Sequence, residues 1–272
     1  MGKRGHMKKF LFSIFIALIV SCRLYALDMT TGVAAWYASS EQYYTQKPQS
    51  GSGLVHDSLV KSKPAFLYGP TLSVKLNSDF NITFVFLYGT FDTEKNTGAG
   101  GLMSKSKYQR SDSDLALNYR LNNYFKVFTG FKLLTYHITP TKYDGMSFRI
   151  TNMQPHVSYG LGSGLSAAIP LIDNLFCLGT VSGLYLLGAD KVQMEELPGN
   201  NPRNLKNKYN EYGINTNLSV AYYIAQISTV ISLGVRYQYF ITDYYDYEPF
   251  LINSIKNKIY GITLTATYTF SI

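Results

Sequence analysis

Cysteine is almost missing from this 272-residue chain; only Cys22 and Cys177 occur. Cys22 lies in a segment expected to be removed, so Cys177 is left alone. No intrachain disulfide and no thiol metal cluster is expected. Histidine is scarce too. His56, His137 and His156 are scattered, which argues against a zinc site, and no cofactor is expected. Charged residues make up only 15% of the chain, yet mean hydropathy is −0.05, a value typical of a soluble protein. Beyond the N-terminus there is no run of 18 apolar residues, which excludes helical membrane insertion.

The N-terminus has its own layout. Lys3, Arg4, Lys8 and Lys9 precede the apolar run Phe10 to Val20, and small residues follow up to Ala26. Residues 1–26 read as a secretory signal peptide, with residues 27–272 as the mature chain. The run is about 11 residues, too short for a transmembrane helix. A rival reading takes Ile19-Val20-Ser21-Cys22 as a lipoprotein box with Cys22 lipidated. Removing the signal leaves 20 basic against 17 acidic residues, so the sequence pI of 9.2 is partly a signal effect. An exported chain with that balance is not expected to bind nucleic acid.

Aromatics are abundant, with 24 Tyr and 16 Phe. From Tyr260 to Ile272 they fall into strict alternation. Tyr260, Ile262, Leu264, Ala266, Tyr268, Phe270 and Ile272 interleave with glycine, threonine and serine. Period two gives a strand with one apolar face and one small, polar face. A closed barrel with every second residue facing lipid keeps average hydropathy near zero and explains the composition.

Ten such segments are predicted, at about 29–40, 65–77, 80–91, 108–121, 124–139, 152–169, 174–189, 209–223, 227–242 and 257–272. Tight turns at Asn77-Ser78-Asp79, Asn122-Asn123, Leu171-Ile172-Asp173 and Ile224-Ala225-Gln226 alternate with long polar joins near 41–64, 92–107, 140–151, 190–208 and 243–256. Short turns on one side and long loops on the other describe a single-chain, all-β, antiparallel outer-membrane barrel, with turns periplasmic and loops extracellular. Ten strands fit best; eight or twelve follow if one hairpin is invented or missed. One closed sheet in the cell outer membrane of a Gram-negative-type envelope accounts for all of residues 27–272.

Alternation also assigns faces. Charged residues consistently choose the inner one, where they avoid about 2–4 kcal/mol for Arg or Lys at the bilayer midplane. Lys75, Arg110, Asp112, Asp114, Arg120, Lys126, Lys132, His156, Glu211 and Arg236 are the expected lumen residues. Strands 1 and 7 are ambiguous because both of their faces carry apolar residues. Gly160, Gly162, Gly164, Gly179 and Gly183 are read as inner positions that leave room or mark bends.

Two functions fit a mixed-charge lumen. One is a narrow pore passing small solutes; the other is a structural surface protein whose lumen is tied by salt bridges. Asp112, Asp114 and Lys132 sit on strands joined by a two-residue turn, which suits ion pairing. A second class is a loop-mediated adhesin binding a host or extracellular ligand. Its candidate surface is Tyr244, Tyr245, Asp246 and Tyr247, since Tyr gives contact area at low entropic cost. A membrane-embedded hydrolase has the least support. His156-Val157-Ser158 has His-x-Ser spacing, but both polar side chains are expected in the lumen. Asp112-Ser113-Asp114 has paired aspartates without a visible Asp–His partner. The chain is therefore expected not to be an enzyme, and its sure partner is outer-membrane lipid.

The alternation, the turn–loop rhythm and the aromatic terminal strand together resemble small bacterial outer-membrane β-barrels of the porin-like and OmpW-like class. The resemblance covers all ten strands and implies a lipid-facing outer wall and a transport or surface role. One departure is that the chain ends Thr269-Phe270-Ser271-Ile272, whereas many such barrels end on an aromatic residue.

Overall fold

The computed structural model describes residues 28–46, 57–95, 104–140, 148–153, 156–196, 202–246 and 252–271. The expected signal peptide, Cys22 and the centres of the long joins lie outside the described residues. Among the described residues, no helix is long and apolar enough to cross a membrane. The chain forms β1 (Asp28–Gln46), β2 (Asp57–Ser62), β3 (Ala65–Lys75), β4 (Phe80–Lys95), β5 (Ser104–Arg120) and β6 (Phe125–Pro140). It continues with β7 (Phe148–Met153), β8 (His156–Ile172), β9 (Leu175–Glu196), β10 (Pro202–Ile224), β11 (Thr229–Asp246) and β12 (Ile252–Ser271).

These twelve strands make ten staves. β2 and β3 both lie between β1 and β4. They are one stave interrupted at Lys63-Pro64, where proline has no amide hydrogen to give the ladder. β7 and β8 both pair with β9 and form a second interrupted stave. All neighbours are antiparallel, and β12 pairs back onto β1 from Asp28↔Ser271 up to Tyr44↔Ile255. The sheet is closed through the apolar band, where no strand edge is left to aggregate. The expected ten-stave antiparallel barrel is what forms.

The expected turns fall at one end. Asn77 Oδ1 accepts from the backbone N–H of Asp79 and Phe80, both at 2.8 Å. Asn122 repeats the device with Tyr124 at 2.8 Å and Phe125 at 2.9 Å. An Asn side chain that mimics a backbone turn is why each of these joins can be so short. The third turn sits slightly later than expected, at Asp173-Asn174, with Asn174 at φ 63°. The fourth is a single 3₁₀ turn at 225–227, closed by Ser228 at φ 48°.

At the other end the staves run further than alternation predicts. β1 continues to Gln46, β9 to Glu196 and β11 to Asp246. An apolar band about 25 Å tall needs only about 9–11 residues per strand, whereas β10 has 23. Beyond the band, outward positions become polar, as at Glu41 and Lys61, so hydropathy alternation fades. The hydrogen-bonded ladder does not, since it depends on backbone alone.

Exposure confirms the faces. Val33, Phe66, Tyr68, Leu115, Leu161, Leu218, Val235 and Ile262 are exposed on the outer wall. Aromatics gather toward both ends of the apolar band, with Phe80 against Tyr119 on the turn side and Tyr37 against Phe66 on the loop side. The two ambiguous strands are resolved: Trp36 points in and Tyr37 out on β1, and Leu186 points in and Tyr185 out on β9. This corrects the reading of Gly179 and Gly183, which lie on the outer face with open space around them. Truly inward glycines behave differently. A Cβ on Gly130 would strike the carbonyl oxygen of Leu115, and one on Gly261 that of Tyr37. Ten staves curl tightly, and glycine at inward positions lets neighbouring backbones approach.

Candidate functional site

A belt of side chains crosses the lumen toward the loop side. Ser111, beside Asp112 but facing out, pairs with Tyr88; Leu133, beside Lys132, pairs with Tyr159. The belt therefore lies at the height of the loop-side tyrosines. Its apolar part is Trp36, Leu67, Phe91, Leu134, Leu186, Phe240 and Ile259, all without solvent exposure. Its charged part is Arg110, Asp112, Lys132 and Glu211, also buried. Ten staves enclose little more than side chains can fill, so large inward residues at one height meet in the middle.

Bonding within the belt is dense. Lys132 Nζ pairs with Asp112 and, at 2.8 Å, with Asp114. Arg110 Nη2 lies 3.0 Å from Asp112 Oδ2 and donates to Gln238 Oε1 at 2.7 Å. Gln238 returns its amide N–H to Asp112 at 3.2 Å. Arg110 Nη1 also donates to the Tyr136 hydroxyl, which in turn donates to Glu211 at 3.2 Å. Ser158 gives its hydroxyl to Glu211 at 2.6 Å and meets the Tyr209 hydroxyl at 3.1 Å. Arg236 sits 3.7 Å from Asp114, and its guanidinium lies 4.8 Å from the Trp36 ring centre. Arg110, Lys132 and Arg236 face Asp112, Asp114 and Glu211, so the six formal charges cancel. Buried charges persist only when paired or well hydrogen-bonded; Asp112 and Asp114 are paired with the cations, and Glu211 is held by the Tyr136 and Ser158 hydroxyls.

Of the expected lumen residues, Arg110, Asp112, Asp114, Lys132, Glu211 and Arg236 come together in the belt. Lys75, Arg120 and Lys126 do not. They face inward at the turn-side rim, where Lys75 pairs with Asp28 at 2.9 Å. Arg120 stands directly opposite Lys126 and bonds the Asn123 side chain. His156 lies just above the belt, stacked on Tyr209 at 4.1 Å and 3.2 Å from Asp190. A Cβ at Gly188 would collide with the Tyr209 ring, so this glycine makes space for the stack. His156 and Ser158 therefore bond different acids and not each other.

The tyrosine cluster is corrected in part. Tyr244, Tyr245 and Asp246 belong to β11 rather than a loop, and Tyr247 lies outside the described residues. Tyr245 is exposed, while Tyr244 packs against Tyr209 at 5.3 Å. The sequence reading missed Tyr136, Tyr209 and Asp190. Tyr136 shares the even parity of Lys126 and Lys132, so extending that alternation by two residues finds it.

Below the belt is a cavity of about 360 Å³. Asp114, Lys132 and Arg236 reach it from above, and Asn118, Asn217 and Thr265 are among its walls. Thr30, Ser73, Asn81 and Thr269 face inward further toward the turns and are only partly buried. Solvent therefore reaches this half of the lumen from the turn side.

No family model matches the chain, and no curated protein matches it. Among solved structures, the outer membrane protease OmpT from Escherichia coli superposes with a TM-score of 0.55 at 13% identity, over 92% of this chain and all of that one. Looser likenesses include the outer membrane protein AlkL, at TM-score 0.43 and 12% identity over 90% of each chain. OprG from Pseudomonas aeruginosa has TM-score 0.39 and 11% identity over 90% of this chain and 95% of that one. These two align too loosely to carry an argument. The superposition on OmpT agrees with the closed antiparallel ladder. The chain has the fold of a small outer-membrane β-barrel. At such identity the likeness concerns fold alone.

Proposed function

We propose that this protein resides in the outer membrane as a surface barrel whose lumen is closed by the charged belt. It is a structural surface protein in this state, not an open general porin. One observation carries the reading: Arg110 on β5 bonds Gln238 on β11, and these are the fourth and ninth of ten staves round the ring. A bond between diametrically opposite staves, with Trp36, Leu134 and Phe240 buried beside it, supports a lumen closed at that height. Purified protein in a planar bilayer tests it. Membranes should stay silent, and a steady ohmic current would sink the closed-lumen reading.

A narrow pore is the second reading, and the turn-side cavity favours it. The turn-side half of the path already exists, and the belt is the first constriction a small solute would meet from that side. Catalysis has less support. Asp112 and Asp114 are held by cations, and His156 and Ser158 by Asp190 and Glu211. Cleavage of a mixed peptide pool by the purified barrel, lost in Asp112→Asn, would reverse that judgement. An adhesive role would rest on Tyr245 and residues outside the described set.

A further inference from the structure

The cavity below the belt has a chemistry distinct from the belt itself. We propose that it binds a small neutral polyhydroxy compound of monosaccharide size, entering from the turn side. The inference rests on the closed-lumen reading, which makes the cavity blind at its upper end.

Charge is the first discriminator. The charged groups at the top of the cavity are already engaged with one another. Lys132 holds Asp112 and Asp114, while Arg236 Nε donates to Asn215 at 3.0 Å and its guanidinium faces both aspartates. A charged solute would lose hydration and find no uncompensated counter-charge. A neutral one loses little.

The walls supply what a neutral polyol needs. Thr71, Ser232 and Thr265 offer hydroxyls able to donate and accept; Thr83, which accepts from Asn81 and Asn118, is left to donate, and Ser182, which donates to Asn215 O, is left to accept. Two amides are oriented in complementary ways. Asn118 spends its N–H groups on Asn81 O, Thr83 Oγ1 and Ala116 O, which leaves its carbonyl as an acceptor. Asn217 accepts from Thr263 at 3.3 Å, which leaves its N–H groups to donate. β5 and β10 hold these amides on well-separated staves, so a bound ring could meet both. Trp36, Phe128, Leu87 and Leu184 add apolar surface for C–H faces. The Trp36 indole N–H has no protein acceptor. A cavity of about 360 Å³ is within the range of small-molecule sites, roughly 300–1,000 Å³.

Trp36 is the chain's only tryptophan, so its fluorescence reports on the junction of belt and cavity. The full-length barrel in nanodiscs is titrated with glucose, with gluconate as the anionic and glucosamine as the cationic analogue. Equilibrium dialysis of radiolabelled glucose runs in parallel. Glucose should saturate in both assays, with gluconate and glucosamine at least tenfold weaker. Asn217→Leu should weaken glucose at least tenfold while the heat-modifiable gel shift shows an intact barrel. Asn217→Asp, which keeps the shape and adds charge, provides the check if the leucine variant does not fold. Absence of saturation in both assays overturns the proposal. So does equal affinity for all three sugars, or unchanged affinity in a folded Asn217 variant. A silent bilayer with no glucose binding defeats this inference alone. A conducting barrel that still binds glucose defeats the closed-lumen reading alone.

Discussion

Arg110 and Gln238 are 128 residues apart in sequence and 2.7 Å apart in space, joined from opposite sides of the barrel. Each also bonds Asp112, at 3.0 Å and 3.2 Å. A strut of this kind cross-braces the wall. Replacing both ends with serine, Arg110→Ser with Gln238→Ser, should open a path at the belt. Single-channel recording should show current in the double variant and none in the parent. A silent double variant would mean that Trp36, Phe240 and Leu134 close the lumen by themselves.

Asp112 is the hub, since Lys132, Arg110 and Gln238 all converge on it. Asp112→Asn leaves buried Arg110 without an acid partner and Lys132 with Asp114 alone, a change worth about 3–5 kcal/mol in similar settings. Its urea midpoint should fall well below that of the parent. Adding Arg110→Met should restore part of the loss, because the stranded charge is removed with its partner. Strictly additive losses would show that the pair is not coupled.

The inward glycines separate curvature from mere spacing. Gly130→Ala places a methyl group against the Leu115 carbonyl oxygen and should reduce folded yield, with overpacking costs of roughly 1–3 kcal/mol. Gly183→Ala lies on the open outer face and should be tolerated. Band-shift gels of refolded protein measure both, and equal yields would reject the curvature account.

On the terminal strand, Thr269 faces the lumen and meets the Thr30 hydroxyl at 3.0 Å, whereas Phe270 stacks on Tyr268 outside. Phe270→Asp should lower membrane yield far more than Thr269→Asp, since only the former sets a charge in the lipid or at its edge. Immunoblots of membrane fractions give the comparison.

Orientation follows from the two ends. In a Cys177→Ser background, a cysteine at Asn122 should resist a membrane-impermeant maleimide on intact cells. One at Lys61, exposed above the loop-side girdle, should react. Labelling at Asn122 would invert the topology.

Much of this molecule was legible because a strand writes its two faces into alternate residues. Phe66, Tyr68 and Leu72 against Thr71, Ser73 and Lys75 needed no partner to be assigned. Asn77 and Asn122 marked their turns for the same local reason. Where alternation weakened, the reading did too. Strand 7 was read in the wrong phase at Gly179 and Gly183, and β1 was cut short once Glu41 and Tyr43 replaced its apolar outer face. Tertiary structure alone decided which lumen residues meet. Inward parity placed Arg110, Asp112, Lys132, Arg236 and Gln238 on one surface, but their relative heights need the register of every neighbouring pair, which closure of β12 onto β1 ties into one total shift. That shift brings Arg110 and Gln238 to one height, while Arg120 and Lys126, of the same parity, are left at the rim. Parity is a property of one strand; height in a closed barrel is a property of all ten.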